Sequence, residues 1–291
     1  MNSKTINRKS AATVKKKLPK GIVVTQSLIK DLKRYNAKEL CGFVLKAKYI
    51  DKTYPFDGDD SPAKALGRYF EYILTGAIPR NGVVPVAEYY ATSLKNHGKD
   101  PLRHRLTTFD MKEDYQRAHR NAERVKRYFK LMKIRILEVN VHVQKGLKAG
   151  TIDIIAMYNN RRVIIDVKYS GLLFDKWNEL GWMWTDEQKK FHGTQAMQYH
   201  GLLSLPFYFL IVSSTNDEDI KFLDVEFDDF SLEQHDVEVD DTRKKMQFMI
   251  DMQAFHPVPE LVRCSKCAIR ANCESRQDAP TVTKVRLASN D

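Results

Sequence analysis

Two apolar, β-branched runs, Thr151 to Tyr158 and Arg162 to Tyr169, meet across the dipeptide Asn159-Asn160. Asparagine tolerates the positive φ of a tight hairpin, so the pair predicts a two-residue turn between antiparallel strands. Such a turn fixes the register. Asp153 then lies opposite Asp166, their Cβ atoms about 5 Å apart on one sheet face, where like charges destabilise. Lys168, two residues beyond Asp166, points to the same face. The surroundings are apolar: Ile152, Ile154 and Ile155 on one run, Val163, Ile164 and Ile165 on the other. Two carboxylates and an ammonium there cost stability unless something offsets them. A divalent cation would do so, because carboxylate oxygens suit Mg²⁺ or Mn²⁺, which also bind phosphate. The plainer alternative is a half-exposed pair of acids with a lysine as simple counter-ion.

Elsewhere the apolar period is helical. Thr25 can cap a helix running towards Ile50, with Leu28, Leu32, Leu40 and Val44 on its apolar side. Pro55 and the run Asp57-Gly58-Asp59-Asp60 break it. Ser61-Pro62 opens a second helix that passes Leu74 and stops at Gly76, and Pro79 to Pro85 reads as a loop. A long basic helix is predicted from about Phe109 to Met132, with Tyr115, Ala118, Ala122, Val125, Phe129 and Met132 inward. Arg117, Arg120, Arg124 and Arg127 project elsewhere, either towards phosphates or as a solvated face. Strands are expected at Ile134 to Val143, on both arms of the hairpin, at Phe207 to Ser213 and near Lys221 to Phe227. A helix from Asp186 to about Leu203 separates the last two from the rest. That order implies a mixed α/β sheet, antiparallel at first and with one parallel crossover.

The formal net charge is +11, although Asn216 to Asp241 holds twelve acids and one base. The remainder is therefore more basic than the total shows, which suits a polyanionic partner, or solubility alone. The acidic stretch is read as a solubilising segment in preference to a nucleic-acid mimic. No run of about 18 apolar residues exists, so a membrane span is not expected. Met1 to Lys20 carries seven Lys/Arg and no acid, without an apolar core behind it, and reads as a disordered basic arm of a cytoplasmic protein.

Gly150-Thr-Ile-Asp153, then Asp166-Val-Lys168, resembles the motif core of the PD-(D/E)XK nucleases. Gln195-Ala-Met-Gln-Tyr199 resembles the QxxxY motif of their RecB-like branch, where an i, i+4 pair shares one helix face. Gln198 has no place in that pattern. Gly67-Arg-Tyr-Phe-Glu71 resembles the upstream GxxxH or GxxxE helix, with an acid where RecB and AddB-type members carry histidine. The resemblance implies a restriction-endonuclease-like α/β fold, with a helical N-terminal segment and a cysteine-rich C-terminal one. Glu71, Asp153, Asp166 and the Val167 carbonyl would hold metal, Lys168 would assist the attacking water, and Gln195 and Tyr199 would orient the site or the DNA.

Cys41, and Cys264-Ser-Lys-Cys267-Ala-Ile-Arg-Ala-Asn-Cys273, are the chain's four cysteines. One distant N-terminal cysteine plus CxxCx₅C is similar to the cluster of AddB-type and CRISPR-adaptation nucleases, which implies a 4Fe–4S centre clipping the chain ends together. Zinc is the rival, because CxxC turns also suit tetrahedral zinc, and His256 could stand in for Cys41. Trp177, Trp182 and Trp184 could stack on bases or pack a loop, and His192 and His200 read as helix surface or packing residues.

The expected organisation is a basic arm over 1–21, a nuclease domain over 22–255, a cysteine segment over 256–279 completed by Cys41, and a tail over 280–291. The expected activity is Mg²⁺- or Mn²⁺-dependent hydrolysis of DNA, more an exonuclease than an endonuclease. It would serve recombination, repair, phage replication or spacer acquisition, with a recombination or replication protein as a possible partner. A nuclease-derived DNA-binding subunit that no longer cuts, and a restriction-type endonuclease, stay open as alternatives.

Overall fold

The computed structural model describes residues 21–55, 61–78, 113–171, 186–215, 217 and 219–275, without the side chains of 186–192 and 261. The basic arm, the break at Asp57 to Asp60, the Pro79–Pro85 loop, the three tryptophans, the His192 side chain and the C-terminal tail lie outside these. So does the predicted first turn of the basic helix.

The hairpin forms as the two asparagines dictate. Asn159 and Asn160 adopt φ of 48° and 59°, and strand β2 (Lys148–Tyr158) pairs antiparallel with β3 (Arg161–Ser170) from Tyr158↔Arg161 down to Ile154↔Ile165. Strand β1 (Arg135–Lys145) lies antiparallel on the far side of β2. Strand β4 (Phe207–Ser213) runs parallel to β3, and β5 (Ile220–Val225) closes the sheet antiparallel to β4. The order is β1-β2-β3-β4-β5, with a single parallel crossover.

Three helices reach the sheet. Helix α3 (Pro62–Thr75) starts where Ser61 accepts from the Lys64 amide and ends at Gly76, whose φ of 71° suits glycine. It lies with α4 (Glu113–Leu131) on one face. There Tyr69, Phe70, Ala118, Ala122, Val125 and Phe129 meet Ile154, Ile165, Val167 and Leu210. Helix α5 (Asp186–Leu203) is the crossover and covers the other face, where Ala196, Tyr199 and Leu202 meet Ile152, Ile155, Ile164 and Phe209. Met132 was expected inward, but it follows the end of α4 and is 37% exposed.

The N-terminal helix is two. Thr25 caps α1 (Gln26–Asn36) as expected. The chain then breaks at Lys38, which takes a φ of 62°, and restarts as α2 (Gly42–Tyr49) with Cys41 at its N-cap position instead of inside a helix. The acidic stretch, read as a solubilising segment, runs into a helix that the sequence reading did not place: α6 (Asp229–Asp251), capped by Asp228, with His235, Val239, Thr242, Met246 and Met249 buried. Met246 and Met249 join Leu28, Leu32, Leu40, Val44 and Leu45 in a separate core, to which Cys41, Cys267 and Ile269 add partly buried side chains. Two acids of α6 pair with the body, Asp236 with Lys148 and Glu238 with Lys33, while Asp240 pairs within the helix with Arg243 and Lys244. A short helix α7 (Leu261–Ser265) carries Cys264. Among the described residues, no helix is long and apolar enough to cross a membrane.

Candidate active site

The sheet forks at the predicted carboxylates. Pairing of β2 with β3 stops at Ile154↔Ile165, one step before Asp153 would meet Asp166. Beyond that point β2 pairs only with β1, and β3 only with β4. On β2, Ile152 packs under α5 and Ile154 under α3 and α4, so the strand changes face at Asp153. Opposite, Asn140 of β1 takes a φ of 51°. Asp153 spans the fork, its Oδ2 accepting from the Val167 amide at 2.9 Å, a bond the ladder would otherwise have supplied.

Into this fork the two helical layers deliver the other residues. Asp166 is fully buried. Its Oδ1 accepts from Gln195 Nε2 at 2.6 Å. Its Oδ2 has no hydrogen-bond partner of good geometry and faces the Lys168 ammonium as an ion pair. Glu71 comes from α3 on the opposite face, within electrostatic reach of Lys168, Asp166 and Arg68. Tyr199 lies one turn from Gln195, its ring on Gly150. A Cβ built on Gly150 would stand 2.5 Å from Tyr199 Cε1 and 3.2 Å from Leu202 Cδ1. Gly150→Ala therefore forces the buried Tyr199 ring aside and should cost about 1–3 kcal/mol as overpacking. Thermal melting measures the cost, and an unchanged midpoint would contradict this contact.

Burial pushes the Glu71 carboxyl up to about 7; Lys168 opposes the rise and Asp166 adds to it. Asp153 is raised well above the carboxylate range, first by burial, then by Asp166 and Glu71. Burial also raises Asp166, against the pull of Lys168. For Lys168 burial favours the neutral amine, but Asp166 and Asp153 outweigh it and hold the ammonium above its ordinary value. Burial, then Asp166 and Asp153, raise the Tyr199 phenol. The site is short of positive charge. A raised acid is protonated in the folded chain over a range where the unfolded chain is not, so stability falls as pH rises through that range. The metal-free protein should therefore lose thermal stability as pH rises from 4.5 to about 7, the range over which Glu71 stays protonated only in the folded chain. Glu71→Gln should flatten part of that slope in a calorimetric pH series, and an unchanged slope would show that Glu71 does not cause it.

The structure thus brings together Glu71, Asp153, Asp166, Lys168, Gln195 and Tyr199. Among the described residues, no three His, Cys, Asp or Glu side chains stand at the spacing of a bound metal; in the fork, Lys168 supplies the counter-charge. Gln198, given no role by the motif, is buried; it donates to the carbonyls of Val24 and Ala149 and meets His235 Nε2 at 2.9 Å. It ties the QxxxY helix to the N-terminal segment, β2 and α6. Nothing in the local sequence marked either residue. Arg117 is held by Glu113, Asp114 and the Ser214 carbonyl, and Arg120 by Asp217, so both have protein partners. His200 bonds the Leu205 carbonyl and rests against Phe227, a packing residue as expected.

A solved structure of a candidate exonuclease from Eubacterium rectale aligns over 98% of this chain and 97% of its own, with a TM-score of 0.53 and 18% identity. Likeness at this identity shows the fold. The mixed sheet flanked by helices is the restriction-endonuclease-like core that the motifs implied. An alkaline exonuclease from Laribacter hongkongensis aligns over 66% of this chain and 94% of its own, at a TM-score of 0.35 and 15% identity, too distant to add to that. No family model and no curated protein matches the sequence.

The cysteines form a second candidate site. Cys41, Cys264, Cys267 and Cys273 line one cavity of about 410 Å³ together with Arg34, Arg263, Lys266 and Arg270. Burial pushes the Cys267 thiol up, the Ile269 amide pulls it down, and the other three cysteines add to the rise. The approach is set by Gly42, whose amide donates to the His256 carbonyl at 3.0 Å, so the C-terminal segment crosses α2 where any Cβ would collide. His256, the alternative ligand, is exposed and is not among the residues lining the cavity.

Proposed function

We propose that this chain is a divalent-metal-dependent DNA nuclease acting at DNA ends. The observation that carries the reading is the fork itself, where three buried or half-buried carboxylates and one lysine meet as the β2–β3 ladder ends. The donor set fits the cation. Oxygen ligands alone suit Mg²⁺ or Mn²⁺, the buried Asp166 Oδ2 has only the Lys168 ammonium against it, and burial raises all three acids above the carboxylate range. Glu71, Asp153, Asp166 and the Val167 carbonyl would hold it, after Lys168 moves off Asp166.

When bound, such a cation lowers the pKa of water and stabilises charge on a phosphate. Lys168, kept as an ammonium by its carboxylate partners, would then orient the water or counter the charge developing on the phosphate. Gln195 would fix the rotamer of Asp166, and Tyr199, braced on Gly150, would border the substrate. The exonuclease assignment rests on the RecB-like motif order and on a fold neighbour that is a candidate exonuclease. The test is digestion of end-labelled linear DNA beside covalently closed circles. Loss of linear DNA alone supports the reading, and equal loss of circles would make the enzyme an endonuclease.

The four-cysteine cavity is proposed to hold a 4Fe–4S cluster. All four cysteines line one cavity of about 410 Å³, and no three of them stand at the spacing of a single bound metal, which favours a cluster over one zinc ion with Zn–S bonds of about 2.3 Å. Arg34, Arg263, Lys266 and Arg270 outnumber Glu39 and Glu260 around the cavity and would stabilise thiolates and an anionic cluster. Its role would be structural, joining α2 to the C-terminal segment.

A further inference from the structure

Helix α6 has a second face that no described element covers. His235, Val239, Thr242, Met246 and Met249 point inward. On the opposite side Phe230 is 70% exposed, Val237 54%, Phe248 60% and Met252, at the C-cap, 64%. At 3.6 residues per turn these four fall within roughly 40° of one line along the helix. Exposed Asp241 and Lys244 share that line between Val237 and Phe248, so the face is apolar towards its two ends and charged at its middle.

Charge says what fits there. From Asp228 to Asp241 the helix carries seven acids and no Lys or Arg, and Arg243-Lys244-Lys245 follows at once. One half of the stripe is therefore flanked by negative charge and the other by positive. A surface of that kind complements itself when inverted. We infer that α6 is the contact between two copies of this chain, paired antiparallel across a twofold axis.

In such an isologous pair each residue i that meets j has its reciprocal. A register centred at the level of Val239 sets Phe230 of one copy against Phe248 of the other, both on the midline. It sets Glu233 against Lys244 on one flank. Glu233 is exposed, and Lys244 reaches Asp240 of its own helix at 2.6 Å, its side chain still 64% exposed. Beside the stripe, a cavity of about 330 Å³ between α1 and α6, lined by Leu32, Asn36, Gln234, Val237, Asp241 and Lys245, leaves room for apolar groups of the partner. Parallel pairing would put acid on acid along one half and base on base along the other, so the charges select the antiparallel form.

The inference is independent of the nuclease reading, because none of these residues belongs to the fork. The experiment is sedimentation equilibrium of the full chain across a dilution series, with four variants. Wild type should be a dimer that dissociates on dilution. Phe248→Glu should be monomeric at every concentration and melt with the midpoint of wild type diluted to its monomer, as expected for an exposed side chain. Glu233→Lys and Lys244→Glu should each weaken association at least tenfold, and the two together should restore it. A monomeric wild type at every concentration overturns the proposal, whether the stripe proves bare or covered by the chain's own termini. Failure of the paired substitution to recover association overturns the antiparallel register.

Discussion

Lys168→Ala should abolish cleavage while DNA binding persists. The ammonium is the only side-chain cation on Asp166 among the described contacts, and it is held there by charge, not by packing. Its loss leaves Asp166 and Asp153 buried without it, so both carboxyls should rise further and bind a proton in place of a productive cation. An effect of 10³-fold or more on turnover is expected, on the order of removing one preorganised charge from a transition state and weakening the metal site with it. Gel-shift and single-turnover assays with one DNA substrate separate the two properties. A variant that cuts at the wild-type rate removes Lys168 from the mechanism, and one that neither binds nor folds says only that the charge balance is structural. Lys168→Arg distinguishes these cases, because it keeps the positive charge yet cannot reproduce the amine geometry. Stability should return with arginine, and cleavage should not.

Cys41→Ala carries the second largest expected effect. Cys41 is 223 positions from Cys264 and stands at the start of α2, while the three other cysteines lie on the C-terminal segment. A centre bound by all four closes that long loop in the unfolded chain. The loop-closure contribution is about 5.4 kcal/mol on the model used for disulfide cross-links. In a chain of this length the melting midpoint should fall by roughly 10 °C or more. Protein purified without oxygen should carry iron and inorganic sulfide and absorb visible light, and Cys41→Ala should lose all three together with the midpoint. Iron-free wild type with stoichiometric zinc would replace the cluster by a zinc site. Equal melting of wild type and variant would leave Cys41 a packing residue of the α1–α2 core.

These expectations came from a sequence that was legible in parts. The hairpin was readable because Asn159-Asn160 leaves one low-strain register, and that register alone set Asp153 near Asp166. The fork was not readable. Pairing ends at Ile154↔Ile165 because β2 changes face at Asp153, a backbone event with no residue type that announces it. Gln195 and Tyr199 were found through their spacing and their place after the lysine strand. Glu71 was found by motif alone, and only the packing of α3 on the sheet gives it its neighbours.

Errors arose where one periodicity concealed another. Leu28, Leu32, Leu40 and Val44 keep nearly helical spacing straight through the break at Lys38, so the sequence read as one helix. In the acidic stretch, the inward series His235, Val239, Thr242, Met246 and Met249 alternates steps of four and three. It holds only three apolar side chains among many acids, and composition outweighed the period. Gln198 and His235 show the same limit in small. A buried polar hub is specified by what surrounds it in space, and here those groups come from four separate segments.

The most direct measurement is release of nucleotides from an end-labelled linear duplex by anaerobically purified protein, with Mg²⁺ or Mn²⁺ in one arm and chelator in the other. The expected result is processive loss of the label or shortening of the strand with either cation, none with chelator, and none from Asp166→Asn under any condition. Cleavage that survives chelation, or persists in Asp166→Asn, would contradict a metal-dependent site at the fork. Absence of cleavage with both cations, from protein that binds the same DNA, would make this chain a binding subunit built on a nuclease fold.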